Sequence, residues 1–167
     1  IAPEKVKYDC SIKGEVIGVP LGVDTTCTCF RKDLMEQAGL PSTREDFMQE
    51  RESWGVMQSW AETLREEFKS DGVWGIMTWA VYHQSLGAIF QSITSDLYDD
   101  RGLIKFDSEA MQRALEIQAK WSWTGVAPTP SFGAEPWRTG KAGLWQGPVG
   151  HVGMAQQAWG KDTIAYA

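Results

Sequence analysis

The order of segments along the chain predicts an α/β fold. Short apolar runs that suit strands alternate with longer stretches whose apolar residues recur at the helical period. Val73-Trp74-Gly75-Ile76-Met77 reads as a buried strand, and it follows a helix striped by Met57, Trp60, Ala61, Leu64 and Phe68. Ala142 to Trp145 and Thr163-Ile164-Ala165-Tyr166 supply two more strands, separated by a weaker helical stretch from Val152 to Trp159. No internal repeat, low-complexity tract or interdomain linker interrupts this alternation, so the 167 residues form one domain able to bury a sizeable core.

The remaining elements follow from local chemistry. Residues 1–15 are polar and charged and read as a loop, with Tyr8 and Cys10 as packing points. From Val16 to Phe30 the chain is extended but bent. Pro20 donates no ladder hydrogen bond, and Gly18 and Gly22 pack nothing, so two extended segments meet at a bend carrying Asp24, Thr25 and Thr26. Such a bend suits a chain passing from one body to another. Asp33 caps a short helix containing Leu34, Met35 and Ala38, which Gly39 and Pro41 end. Ser42-Thr43-Arg44-Glu45 has the form of a capping box and opens a helix of about two turns through Phe47 and Met48.

Ser53 caps the striped helix, and Asp71-Gly72 is a turn signal before the buried strand. A further helix is expected between Trp79 and Gln91, with Leu86, Ile89 and Phe90 in the core. After a loop at Asp99-Asp100-Arg101-Gly102 come a short strand, Leu103 to Phe106, and a helix capped by Asp107 or Ser108. Ala110, Ala114, Ile117 and Trp121 line one face of that helix. Gly125 ends it, Val126 to Pro136 is a Pro-rich connection, a short helix near Trp137 stops at Gly140, and Gly147-Pro148 reads as a sharp turn.

Composition narrows the function. A net charge of -6 without any basic patch argues against nucleic acid, whose phosphates call for clustered Lys and Arg. No apolar run reaches the roughly 18 residues of a membrane span. The three cysteines, Cys10, Cys27 and Cys29, allow at most one disulfide; buried, unpaired thiols are expected, with Cys27 and Cys29 on one strand face. A metal site is not expected, because His83 and His151 are isolated and no Cys-x-x-Cys occurs. No cofactor motif and no nucleophile elbow is present.

Gly18-Val19-Pro20, Asp24, Phe30-Arg31-Lys32-Asp33-Leu34 and Ala38-Gly39-Leu40-Pro41 together resemble the hinge-crossing segment of the extracellular solute-binding proteins of family 1, which serve sugar-importing ABC transporters. Ser53-Trp54, Phe106-Asp107-Ser108 and Gly140-Lys141-Ala142 leading to Trp145 and Gly147-Pro148 keep step with that family in order and spacing. The resemblance implies a periplasmic-binding-protein-like lobe, a mixed sheet flanked by helices, excerpted from a two-lobe protein. Residues 1–24 and 163–167 would be the hinge-crossing segments and 25–162 the body of the second lobe. A start at Ile1 fits an excerpt, with the first lobe and the export or lipoprotein signal upstream. The partners implied are a small solute, a sugar above all, the missing first lobe of the same chain, and the membrane permease of an ABC importer, in an extracytoplasmic setting.

Candidate ligand-binding residues sit at the bend and at strand ends. Asp24 either caps local amides or accepts two sugar hydroxyls in charge-assisted bonds, with Thr25 beside it. Trp79 and Trp145 lie near strand ends, where open α/β sheets gather ligands and where an indole can stack on a pyranose. Tyr82 and Gln84 follow the first of those strands, and Gly147 the second. The family commonly places an aromatic after Gly147-Pro148, but this chain has Val149 there; His151 is expected at the surface. Trp60 and Trp121 belong to the core, and Trp54 and Trp74 are also read as structural. An enzymatic alternative, a secreted carbohydrate-active fragment using Asp24 and a second carboxylate, and a plain interaction module without a small ligand complete the readings. No catalytic residue is assigned.

Overall fold

The computed structural model describes residues 10–18, 26–78, 83–128 and 135–166. The elements are β1 (Ser11–Ile12), β2 (Glu15–Val16), β3 (Thr26–Arg31), α1 (Lys32–Gln37), α2 (Arg44–Glu50), α3 (Trp54–Glu67), β4 (Trp74–Thr78), α4 (His83–Ile93), α5 (Glu109–Trp123), α6 (Glu135–Arg138), β5 (Ala142–Pro148), α7 (Gly150–Trp159) and β6 (Ile164–Tyr166). Four strands form one mixed sheet in the order β4-β5-β3-β6. β4 runs parallel to β5, while β3 is antiparallel to both β5 and β6.

The sheet separates two apolar layers. On one face Phe30, Ile76 and Leu144 pack with the inward stripes of α3, α4 and α5, including Leu64, Ile89, Ala114 and Trp121. On the other face Cys29, Met77 and Trp145 pack with Trp137, Val152, Ala155 and Ile164. The alternation of Cys29 and Phe30 between layers is the two-residue period of a strand covered on both sides. Within the larger layer Phe30 stacks on Phe47, with ring centroids 4.4 Å apart, and Phe47 tilts against Trp60.

Helix starts follow the sequence with small corrections. Ser53 and Ser108 cap α3 and α5 through their side-chain oxygens, as expected. The second short helix is capped by Thr43, which accepts from the Asp46 amide, one residue later than the capping box suggested. Asp33 lies inside α1, one residue past its start, rather than at the N-cap, and its carboxylate is paired with the Arg31 guanidinium. Three expected elements also change. The stretch 10–17 contains a tight hairpin, β1 with β2, because Lys13 and Gly14 both adopt positive φ. Leu103 to Phe106 forms only an isolated bridge, Tyr98 with Ile104, leaving Leu103 and Phe106 exposed. Gly147-Pro148 is no turn: both residues extend β5, opposite Cys27 and Thr26.

Arg31 holds the far edge of the molecule together. Its Nε donates to Asp33 Oδ1 at 2.7 Å, its Nη1 to the Gly140 carbonyl at 3.2 Å, and its guanidinium lies 4.8 Å from the centre of the Trp159 ring. Gly140 has φ +70°, and a Cβ there would meet both Trp159 and Arg31, so the turn after α6 requires glycine. No helix among the described residues is long and apolar enough to cross a membrane.

Candidate functional site

The directions of the strands bring four chain ends to one edge of the sheet. Thr26 at the start of β3 pairs with Pro148 at the end of β5, and Thr78 at the end of β4 pairs with Gln146. Tyr166 at the end of β6 lies beside Cys29, three residues along β3 from Thr26, or roughly 10 Å. The start of β3 and the end of β6 therefore lie on adjacent strands near one edge. The carboxyl ends of the parallel pair, β4 and β5, open on the same edge, which is where α/β sheets place ligands.

Asp24, Thr25, Trp79 and Tyr82 lie outside the described residues. Their described neighbours in sequence, Thr26 and Thr78, both stand at this edge. Gln84 falls in the first turn of α4. Gly147 faces Cys27 across β3.

Trp145 sits in the core layer rather than on an open face: it is 0% exposed, stacks on Trp137 at 6.3 Å between centroids, and meets the His151 ring at 5.2 Å. His151 is half-buried, with its ring against that indole. Trp54 and Trp74 are structural in the manner expected. Trp54 tilts against Trp121 and donates to Ser92 Oγ at 2.7 Å, while Trp74 lies 4.2 Å under the Arg65 guanidinium.

A second group of polar residues meets at the same edge on the opposite face, and, Thr26 at the bend apart, sequence reasoning did not single them out. Thr26, Thr28, Arg51, Ser92 and Gln146 line a hollow of about 240 Å³ with Cys27, Trp54 and Ala88. Arg51 Nη1 donates to Thr28 Oγ1 at 3.4 Å, and Arg51 has no acidic partner within 4 Å among the described residues. The Gln146 backbone carbonyl accepts from Ser85 Oγ at 3.4 Å, whereas its side-chain Oε1 is buried with no partner among the described residues. A guanidinium, hydroxyls and an unused amide oxygen together provide donors and acceptors for a polar solute. The signal in the sequence was the alternation Thr26, Cys27, Thr28, Cys29, which puts hydroxyls on one face and thiols on the other.

The thiol face carries no metal cluster: among the described residues no three His, Cys, Asp or Glu side chains gather to hold an ion. No disulfide joins Cys10, Cys27 or Cys29 among the described residues, and Cys27 and Cys29 share a face with their sulfurs 3.4 Å apart. That contact, then burial, then the neighbouring sulfur's charge push the Cys29 thiol well above its ordinary range.

No family model matches the sequence, and no curated protein does. Solved structures match in fold. A solute-binding protein of an ABC transporter from Thermotoga lettingae TMO, bound with α-D-tagatose, superposes with TM-score 0.79 at 17% identity, over 100% of this chain and 44% of that one. An ABC transporter solute-binding protein from Agrobacterium vitis S4 with bound D-mannitol gives 0.73 at 21% identity, over 98% of this chain and 40% of that one. UgpB from Mycobacterium tuberculosis, in complex with glycerophosphocholine, gives 0.78 at 18% identity, over 99% and 40%. The chain thus spans about two fifths of the length of these proteins. Its mixed sheet flanked by helices has the fold of one lobe of the ABC-transporter solute-binding proteins.

Proposed function

We propose that this chain is the second lobe of an extracytoplasmic receptor that captures a small polyhydroxylated solute and delivers it to an ABC importer. The observation that carries the reading is the side-by-side passage of the chain at Thr26 and Tyr166, at the edge where β4 and β5 end. A lobe joined to a partner by adjacent strands can rotate about them, and a ligand gripped from both sides stabilises the closed form. Residues 1–24 and 163–167 are then the crossings and 25–162 the body. The solutes in the similar structures (a ketose, a hexitol and a glycerol phosphodiester) share hydroxyls on adjacent carbons or their derivatives.

In this reading Asp24 and Thr25 take solute hydroxyls at the crossing, while Trp79 and Tyr82 offer aromatic surfaces and Gln84 an amide. Gly147 ends β5 with its open side taken up by the Trp145 indole, and the pair supports the site from beneath. No bond is made or broken. The structures that the fold resembles are solute-binding proteins, so the alternative of a glycosidase using Asp24 is dropped. The permease is the macromolecular partner, and a cell-surface or periplasmic location follows from that role.

Titration calorimetry of the full-length protein against aldoses, ketoses, hexitols and glycerol phosphodiesters tests the assignment. One of these classes should bind saturably without turnover, and Asp24→Asn or Trp79→Ala should weaken it about tenfold or more. A folded full-length protein that binds nothing in the panel would overturn the reading.

A further inference from the structure

The start of α3 and the later turns of α5 enclose a hollow of about 580 Å³, more than twice the volume of the one at the sheet edge. Trp54, Trp121 and Trp123 supply indole to its lining. Trp121 is buried, and Trp54 tilts against it with ring centroids 5.8 Å apart and its N–H donated to Ser92 Oγ. Trp123 differs. It is 85% exposed, more than any other large apolar side chain among the described residues. A scattered exposed residue calls for no partner, but an indole at the margin of a hollow offers a face on which an apolar surface can stack.

The polar groups of the hollow narrow what that surface could receive. Gln58 lines it and is only 4% exposed. Its Nε2 donates to Glu62 Oε1 and to Thr124 Oγ1, whose own proton goes to the Lys120 carbonyl. A carboxylate can only accept, so the amide is fixed with its NH2 group on that side. Neither partner lines the hollow, which leaves Oε1 as the end of the amide available to it. That oxygen is buried and accepts from nothing among the described residues. Lys120 also lines the hollow and has no acidic partner within 4 Å among the described residues, whereas Arg113 is paired with Glu116 at 3.1 Å.

Each feature asks something of a ligand. The Gln58 oxygen wants a donor, the Lys120 ammonium an acceptor, and the Trp123 face an apolar patch. A phosphate or carboxylate lacks the donor, and an alkyl chain leaves both polar groups unanswered. A sugar ring supplies hydroxyls that donate and accept beside a face of C–H groups. We propose that the hollow is a saccharide-binding site, in which one sugar ring stacks on Trp123, donates a hydroxyl hydrogen bond to Gln58 Oε1 and accepts one from Lys120 Nζ. Trp54 is shared by the linings of this hollow and the one at the sheet edge, while Gln58, Lys120 and Trp123 line this one and not the edge.

Fluorine NMR of the full-length protein labelled with fluorotryptophan tests this, with glucose, galactose, mannose, xylose and their short linear oligomers as probes. The Trp123 signal, identified by its absence from Trp123→Phe, should shift saturably with at least one probe. Lys120→Met should weaken that response about tenfold, since a hydrogen bond to a charged group is lost. Both side chains are exposed, so neither substitution threatens the fold. A Trp123 signal unmoved by every probe, or a response undiminished in Lys120→Met, would overturn the proposal. So would a shift that only an apolar peptide produces, which would assign the hollow to a protein partner. Calorimetry keeps the result separate from the receptor assignment. Saccharide binding weakened by Asp24→Asn while the Trp123 signal stays still would sink this site and leave the receptor reading standing. Binding abolished by Trp123→Ala and untouched by Asp24→Asn would do the reverse.

Discussion

The Trp145 indole lies across the backbone of Gly147: a Cβ placed on that glycine would stand 2.4 Å from Cζ2 and 2.6 Å from Cε2. Trp145 and Gly147 are two apart on β5 and share a face, so the large side chain fills the space that the small one leaves. Gly147→Ala should therefore overpack this layer and cost about 1–3 kcal/mol, seen as a lowered urea midpoint. In a Trp145→Phe background the same change should cost less, and the difference measures their coupling. Equal costs in both backgrounds would show that the indole is not what excludes a Cβ.

A closer approach occurs where α3 crosses β4. A Cβ on Gly75 would lie 1.9 Å from the Ala61 carbonyl oxygen and 2.6 Å from its carbon. Backbone cannot swing aside as a side chain does. Gly75→Ala should destabilise by about 3 kcal/mol or more, or prevent soluble accumulation altogether. A thermal midpoint within a degree or two of the parent would contradict this packing of helix on strand.

The Arg31–Asp33 pair predicts a pH dependence. Burial alone would raise the Asp33 carboxyl, but hydrogen bonds and charge from the Arg31 guanidinium outweigh it and hold the group below the usual carboxylate range. A depressed folded value means the stabilisation is complete above the unfolded value of about 3.9 and is lost as pH falls through the lower folded value. The Asp33 side chain is 39% exposed, which limits the effect to about 1 kcal/mol or less. Asp33→Asn should thus be less stable than the parent at pH 6, with the gap closing as pH falls below the unfolded value and through the lower folded one. An unchanged gap at low pH would show that the carboxylate charge is not the source.

The hollow on the hydroxyl face offers a functional test. Arg51 reaches Thr28 there and faces no acid among the described residues. If the full-length receptor extends its solute contacts to this edge, Arg51→Gln should weaken binding of a solute bearing a carboxylate or phosphodiester about tenfold, and of its neutral counterpart little. Calorimetry of such matched pairs reads the outcome. Equal losses for both members of a pair would assign Arg51 to the structure of the edge alone.

Much of this fold was written in local sequence. The stripe Met57, Trp60, Ala61, Leu64 and Phe68 specifies α3 and its buried face because helical periodicity needs no distant partner. Ser53 and Ser108 announce their helices because a cap bonds an amide three residues on. The strands and the family resemblance likewise pointed to one α/β lobe.

Tertiary structure decided what depends on neighbours far along the chain. Gly147-Pro148 has the composition of a turn, yet pairing with Thr26 and Cys27 holds it as strand. Leu103 to Phe106 has the composition of a strand, yet a single bridge to Tyr98 leaves it without a ladder. Trp145 could face a ligand or a core on sequence grounds, and the positions of Trp137 and His151 enclose it. Arg51 meets Thr28 across 23 positions, a separation that no periodicity encodes. Local pattern fixes which face of an element is apolar. Only the pairing of strands fixes which elements that face meets, because that choice is made by hydrogen bonds and packing between segments distant in sequence.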